Sequence, residues 1–146
     1  MSEASRPALD ILEDIEAIIR NYPPLRESRP HLKVAVSDDG VVTFRGNLRT
    51  GIMHRVLIDS TRQVPGVAQV IDDELYDDDS LQIAIAKKLP PGVYVAAING
   101  VVVLSGPLRD PALAAQAVEA ARAFPGVRAV QTDFYALRKR QQPAPA

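Results

Sequence analysis

The sequence predicts an α+β fold made of two repeated α-β-β-α-β units, each a three-stranded mixed sheet with two helices on one face. Two observations lead to this prediction. Residues 40–75 and 100–135 match at an offset of sixty residues without a gap. Each copy also follows an amphipathic segment that is closed by a double proline. A period of this length is typical of a duplicated supersecondary unit.

The first helix of each unit is predicted from apolar residues at three- and four-residue spacing. In the first unit this pattern covers residues 8–21, and Pro23-Pro24 ends the helix. In the second unit it covers about residues 80–89, with Asp79 or Ser80 as the N-cap and Pro90-Pro91 as the stop. Both units are therefore expected to begin with a helix.

A β-hairpin is predicted next, because apolar residues alternate before and after a turn. The turn is Asp38-Asp39-Gly40 in the first unit and Asn99-Gly100 in the second, where Asn and Gly accept positive φ. Gly46 and Gly106 follow where each strand must bend, so we interpret them as backbone requirements. Neither begins a phosphate loop, since no Lys-Ser/Thr pair follows.

A second helix and a third strand complete each unit. Asp110-Pro111 is a strong N-cap and first-turn pair, and Thr50-Gly51 is its weaker counterpart. The third strands are expected at residues 67–75 and 127–135. Because a helix connects the hairpin to this strand, the strand should run parallel to its neighbour through a right-handed crossover.

The open face of each sheet is expected to be covered. Val41, Thr43, Val101 and Val103 on that face are too apolar to be wholly solvated. In a chain of 146 residues, each unit is also close to the lower size limit for independent stability. We therefore expect the units to pack as a pseudo-symmetric pair, or a second chain to cover these faces.

The pattern Gly-Val-Val-x-hydrophobic-x-Gly, followed by a helix and Pro-Gly-Val-x-x-Val, resembles the BON domain, named for bacterial osmotic-stress and nodulation proteins. Both copies carry it, so repeat 1 is placed at residues 1–76 and repeat 2 at residues 77–137. The resemblance implies a non-catalytic binding module, often phospholipid-binding and often found in the cell envelope. Its signature glycines are Gly40, Gly46, Gly66, Gly100, Gly106 and Gly126.

Composition excludes several classes of protein. A formal net charge of −1 argues against a general nucleic-acid binder, which should neutralise several phosphates. The lack of cysteine excludes disulfides, thiolate metal sites and cysteine nucleophiles. The first residues show no secretory signal and no apolar run reaches the length of a membrane span, so we expect a cytoplasmic protein.

Catalysis and metal binding are not expected, and no cofactor is predicted. His31 and His54 lie in unrelated elements and are interpreted as solvated surface residues. No Gly-x-Ser-x-Gly elbow occurs. The acidic runs at residues 72–74 and 77–79 are interpreted as a solvated linker, with a cation site as the alternative.

The candidate site for binding lipid consists of basic residues. Lipid headgroups could bind cations beside exposed apolar side chains. The tail at residues 138–146 begins with a basic trio and is expected to be disordered. The alternative to an anionic phospholipid surface is a protein partner, self-association or a cation. The candidate lipid-binding residues are Lys87, Lys88, Arg138, Lys139 and Arg140.

Overall fold

Two compact units make up the protein, with their boundary between Asp77 and Asp78. The computed structural model describes residues 6–135. Each unit, taken by itself, contains a three-stranded mixed sheet with helices on one face, which confirms the predicted fold class. No helix within residues 6–135 is both long and apolar enough to cross a membrane.

Unit 1 contains three α-helices, a short 3-10 helix and three strands. They are α1 (Ala8–Asn21), α2 (Pro23–Ser28), the 3-10 helix Arg29–His31, β1 (Leu32–Val36), β2 (Val41–Leu48), α3 (Gly51–Arg62) and β3 (Gln69–Asp77).

The double proline of unit 1 ends α1 and also begins α2. Proline suits the first turn of a helix because the amide it lacks would have no intrahelical partner there. Residues 25–30, an insertion without a counterpart in unit 2, therefore form helical turns rather than a loop. Leu25 of α2 is fully buried, and Arg29 donates two hydrogen bonds to the Glu16 carboxylate, at 2.9 and 2.6 Å. These contacts fix the insertion against α1.

The sheet of unit 1 has the order β1-β2-β3, with β1 antiparallel and β3 parallel to β2. The predicted parallel crossover is confirmed. Val42, Phe44 and Leu48 of β2 are fully buried. They belong to one core with Met53 and Leu57 of α3, as the strand and helix periods indicate.

Unit 2 repeats this topology with one helix before the hairpin. Its elements are α4 (Asp78–Ala86), β4 (Tyr94–Ile98), β5 (Val101–Ser105), α5 (Pro111–Arg122) and β6 (Ala129–Asp133). The strand order is β4-β5-β6, and β6 is parallel to β5. Both predicted caps form: Thr50 Oγ1 accepts from the Met53 amide at 3.1 Å, and Asp110 Oδ1 accepts from the Ala112 amide at 2.8 Å.

The predicted bounds of α4 are wrong at both ends. The helix begins at Asp78, directly after β3, and ends at Ala86 rather than at residue 89. The Asp78 carboxylate accepts hydrogen bonds from the amides of Asn99 and Gly100, at 2.8 and 3.0 Å. This contact with the hairpin turn fixes where α4 begins.

Candidate binding surface

The six signature glycines meet backbone requirements. All of them adopt positive φ angles. A Cβ atom on Gly46 would overlap the carbonyl oxygen of His31, and one on Gly106 would overlap that of Gly92. Only glycine allows the preceding chain to pass this close to the strand. Backbone geometry therefore accounts for the repeated glycines, and no ligand is needed to explain them.

Lys87 and Lys88 lie together in the turn that follows α4. Both side chains are exposed, and the Lys88 amide donates to the Ile85 carbonyl oxygen at 2.9 Å. Cations are favoured beside the carbonyl end of a helix, where the helix dipole is negative. Two exposed lysines thus follow the C-terminal end of α4.

A groove of about 470 Å³ opens beside Lys88. Lys88 and the C-terminal end of α5 line it, the latter through Ala120, Ala123, Phe124 and Pro125. The lining combines apolar side chains with one cation. This composition suits a ligand that has both an apolar part and an anionic group.

Unit 1 has a groove at the corresponding place, with different chemistry. It measures about 460 Å³, and Ser60, Gln63, Val64 and Pro65 line one side at an offset of sixty from the residues of the unit 2 groove. The other side is formed by α1, including Asp14. The concave surface is thus part of the repeated architecture, whereas its charge differs between the units.

An exposed apolar side chain accompanies the lysines of unit 2. Ile83 is 60% exposed and lies four residues before Lys87. The α4 surface, defined as Ile83, Lys87 and Lys88, combines one exposed aliphatic side chain of α4 with two exposed lysines in the turn directly after it. The first helix of unit 1 carries acidic side chains instead, at Asp10, Glu13, Asp14 and Glu16.

His54 lies between two carboxylates of β3, so its interpretation as a solvated surface residue is wrong. Its Nε2 is 2.8 Å from Asp72 Oδ2, and its Nδ1 is 3.7 Å from Asp77 Oδ1. The imidazole side chain is only 24% exposed. The pair connects α3 to β3 and has a structural role.

The acidic runs at residues 72–74 and 77–79 do not form a solvated linker, so the interpretation made from the sequence is wrong on this point. Residues 72–74 lie inside β3, and Asp77 and Asp78 are buried. No cluster of three or more histidine, aspartate or glutamate side chains that could hold a metal ion occurs within residues 6–135. The carboxylates instead contact His54 and the hairpin turn of unit 2.

The candidate site is only partly described by the structure. Lys87 and Lys88 lie together on unit 2. Arg138, Lys139 and Arg140 lie outside the described residues, as does the tail predicted at residues 138–146. Sequence reasoning missed Ile83 and the groove, although an apolar residue four positions before Lys87, at the end of a predicted helix, was an available signal.

The family model of the BON domain matches the chain twice, at residues 9–75 and 77–135. The chain belongs to the BON domain family. Each of the two matches covers one helix-hairpin-helix-strand unit of the structure. The predicted resemblance to a tandem BON protein is therefore confirmed.

Two solved structures of CdsD, a structural protein of the type III secretion system of Chlamydia trachomatis, are similar to this tandem BON chain. The C-terminal domain of CdsD gives a TM-score of 0.65 at 17% identity, over 83% of this chain and 64% of that one. The second structure gives 0.69 at 16% identity, over 94% of this chain and 70% of that one. At these identities the likeness establishes the fold. No curated protein matches the chain.

Proposed function

We propose that this tandem BON chain is a non-enzymatic binding module whose ligand is an anionic phospholipid surface. The observation that carries the proposal is the α4 surface, where exposed Ile83 is followed by two exposed lysines, of which Lys88 also lines the groove of unit 2. An aliphatic side chain can enter the headgroup boundary while neighbouring cations contact anionic headgroups. Unit 1 does not combine these features on its first helix.

The expected binding energies predict a reversible association of the α4 surface with the lipid. Each lysine near an anionic surface contributes on the order of 1 kcal/mol. Burying Ile83 contributes at most about 2 kcal/mol more. The sum amounts to weak peripheral binding, which salt should diminish because ions screen exposed charges.

Liposome flotation tests this proposal. We expect the full chain to float with vesicles rich in phosphatidylglycerol at low salt, and to remain unbound with phosphatidylcholine vesicles. Lys87→Glu/Lys88→Glu should lower binding by at least about tenfold. The charge-matched control is Lys33→Glu/Arg55→Glu, which changes two exposed cations of unit 1 and should bind like the wild type.

Two results would contradict the assignment. If the wild type does not float with the vesicles, an anionic phospholipid surface is not its ligand. An equal loss of binding in both double variants would mean that overall charge, rather than the α4 surface, governs binding. A chain that ends at residue 137 tests the basic trio of the tail separately.

Assembly with protein is the second candidate function. CdsD is described as a structural protein of a secretion system, and its likeness to this chain supports a scaffold role over a catalytic one. The specific observation in favour of assembly is the sheet face of unit 2 that exposes Tyr94 and Ile98.

A further inference from the structure

The unit 2 sheet has a face directed away from its helices. Val102 and Leu104 of β5 are fully buried on the helix side, so their neighbours along the strand point to the opposite side. Strand pairing extends this alternation to the other two strands. We call the opposite side the unit 2 open face; its members are Tyr94, Ala96, Ile98, Val101, Val103, Ser105, Ala129, Gln131 and Asp133.

Large apolar side chains on this face are exposed. Tyr94 is 66% exposed and Ile98 is 54% exposed, and the Ala96 side chain between them is exposed as well. They form a continuous strip on β4, next to Val101 and Val103 of β5. Single exposed apolar residues are normal in proteins, whereas a contiguous apolar strip indicates an interaction surface.

The corresponding face of unit 1 is charged. Where Tyr94, Ser105 and Asp133 form one row across the unit 2 sheet, the unit 1 row consists of Lys33, Arg45 and Glu74. Arg45 Nε lies 3.1 Å from Glu74 Oε1, and both side chains are more than 60% exposed. The two units therefore differ here: the open face of unit 1 carries three charged side chains in this row, whereas that of unit 2 carries one, Asp133.

We propose that the unit 2 open face is a homodimer surface, which packs on the same face of a second copy of this chain. The charges on the two faces indicate which surface of a second copy packs here. Docking against the unit 1 face of another copy would desolvate Lys33 and the Arg45–Glu74 pair, which is unfavourable without new partners. Packing the unit 2 open faces of two copies on each other buries apolar side chains against apolar side chains and makes an isologous contact.

One arrangement also separates the charged corners of the two faces. A two-fold axis that crosses the strands at the row of Ala96 places Tyr94 over Ile98 of the partner subunit. Each Asp133 then lies over Ala129 of the partner subunit. The two Asp133 side chains are about 13 Å apart along the strand direction, because four residues rise about 3.3 Å each. This separation exceeds the screening length at physiological salt.

The size of the face predicts a reversible dimer. Three strands of five residues cover roughly 16 by 14 Å. This area is well below the ~800 Å² per partner of a standard stable interface. We therefore expect dissociation in the micromolar range, so that the protein is a mixture of monomer and dimer.

Thiol cross-linking tests the arrangement directly. The chain has no cysteine, so a single introduced thiol is unique. Ala96→Cys faces the two-fold axis, so a short bismaleimide should join the two facing thiols and give covalent dimers. Ala35→Cys occupies the same position in unit 1, is equally exposed, and should stay monomeric. Equal trapping of both variants, or no trapping of Ala96→Cys, overturns the proposal.

Light scattering without vesicles provides a second test that is independent of lipid binding. Between about 5 and 500 µM, the mass of the wild type should rise from monomer toward dimer. Ile98→Lys should remain monomeric. Ile52→Lys changes a side chain that is 69% exposed on unit 1 and should behave like the wild type. A wild type that is monomeric throughout, or an unaffected Ile98→Lys, contradicts the homodimer.

Discussion

The Asp78 carboxylate accepts a hydrogen bond from the Gly100 amide at 3.0 Å, across twenty-two residues of sequence. A second hydrogen bond, from the Asn99 amide, is 2.8 Å long. The first residue of α4 thus satisfies two amides of the Asn99-Gly100 turn, where both residues have positive φ. Hydrogen bonds to an ionised acceptor are stronger than neutral ones. The contact fixes the start of α4 and the hairpin together.

Asp78→Asn should destabilise unit 2 by about 1–3 kcal/mol, because the amide has one acceptor oxygen for two backbone donors, of which the Gly100 amide is buried. Amide hydrogen exchange checks this: protection at Asn99 and Gly100 should fall along with the melting temperature. Asp38→Asn is the control, since Asp38 is an exposed carboxylate in the hairpin turn of unit 1. Equal protection in the two variants would refute the role of Asp78.

Gly106→Ala should cost more stability than Gly92→Ala. Both glycines have positive φ, at 131° and 87°, so both substitutions carry conformational strain of roughly 1–3 kcal/mol. A Cβ on Gly92 meets no atom of residues 6–135 within 4 Å, whereas one on Gly106 overlaps the Gly92 carbonyl oxygen. Chemical denaturation of both variants separates the two effects. Equal losses would show that overlap contributes nothing.

Acid should weaken unit 1 through the pair of Glu16 and Arg29. The hydrogen bond from Arg29 lowers the pKa of Glu16 below its ordinary value of 4.5. A carboxyl group with a lowered folded-state pKa contributes stability above its unfolded pKa and loses it as the pH falls through the folded value. We therefore expect this contribution to start falling near pH 4.5 and to be lost once the pH is below the lowered folded-state pKa of Glu16.

Glu16→Gln tests that contribution. Because both partners are about one-third exposed, screening limits it to roughly 0.5–1 kcal/mol. Urea unfolding at neutral pH should show this loss, and the difference from the wild type should vanish at low pH. Glu13→Gln, at an exposed position of the same helix, is the control. A difference that persists in acid argues against the pKa shift as its source.

Thr61→Val should stabilise unit 1 by about 1 kcal/mol. The Thr61 hydroxyl is fully buried and has no hydrogen-bond partner among residues 6–135. Removing a buried, unsatisfied polar group while keeping the side-chain shape is favourable. Unit 2 has Ala121 at this position. Thermal unfolding should show a higher melting temperature.

The same chemical change at Thr50 should act in the opposite direction. Thr50 Oγ1 caps α3 by accepting from the Met53 amide, so Thr50→Val should cost about 1 kcal/mol. A loss of stability at both threonines would mean that the Thr61 hydroxyl has a partner in solution.

Local chemistry made much of the fold predictable. Asn99-Gly100 predicted a hairpin because these residues accept positive φ, and both adopt it. Asp110 and Thr50 predicted caps because a short oxygen-bearing side chain reaches the free amides of a first helical turn. Each of these features depends on residues at most three positions apart.

The acidic segment was misread because its partners are remote in sequence. Pairing of β2 with β3 shifts by one residue between Thr43 and Arg45, which leaves an irregularity in β3 around Asp72. Unit 2 has no such shift within its described pairs. The sequence repeat gives no sign of this register shift, because both copies carry an aspartate at the equivalent positions 73 and 133. Only the strand register shows that Asp72 meets His54.

The sequence by itself determined the family, the order of elements in each unit and the need for glycine at the turns, because period, turn chemistry and caps act over short distances. The tertiary structure decided which charges are buried, where α4 begins and which residues share a surface. The α4 surface and the unit 2 open face depend on register and packing. Strand pairing brings together residues that are far apart in the chain, and no local pattern records that pairing.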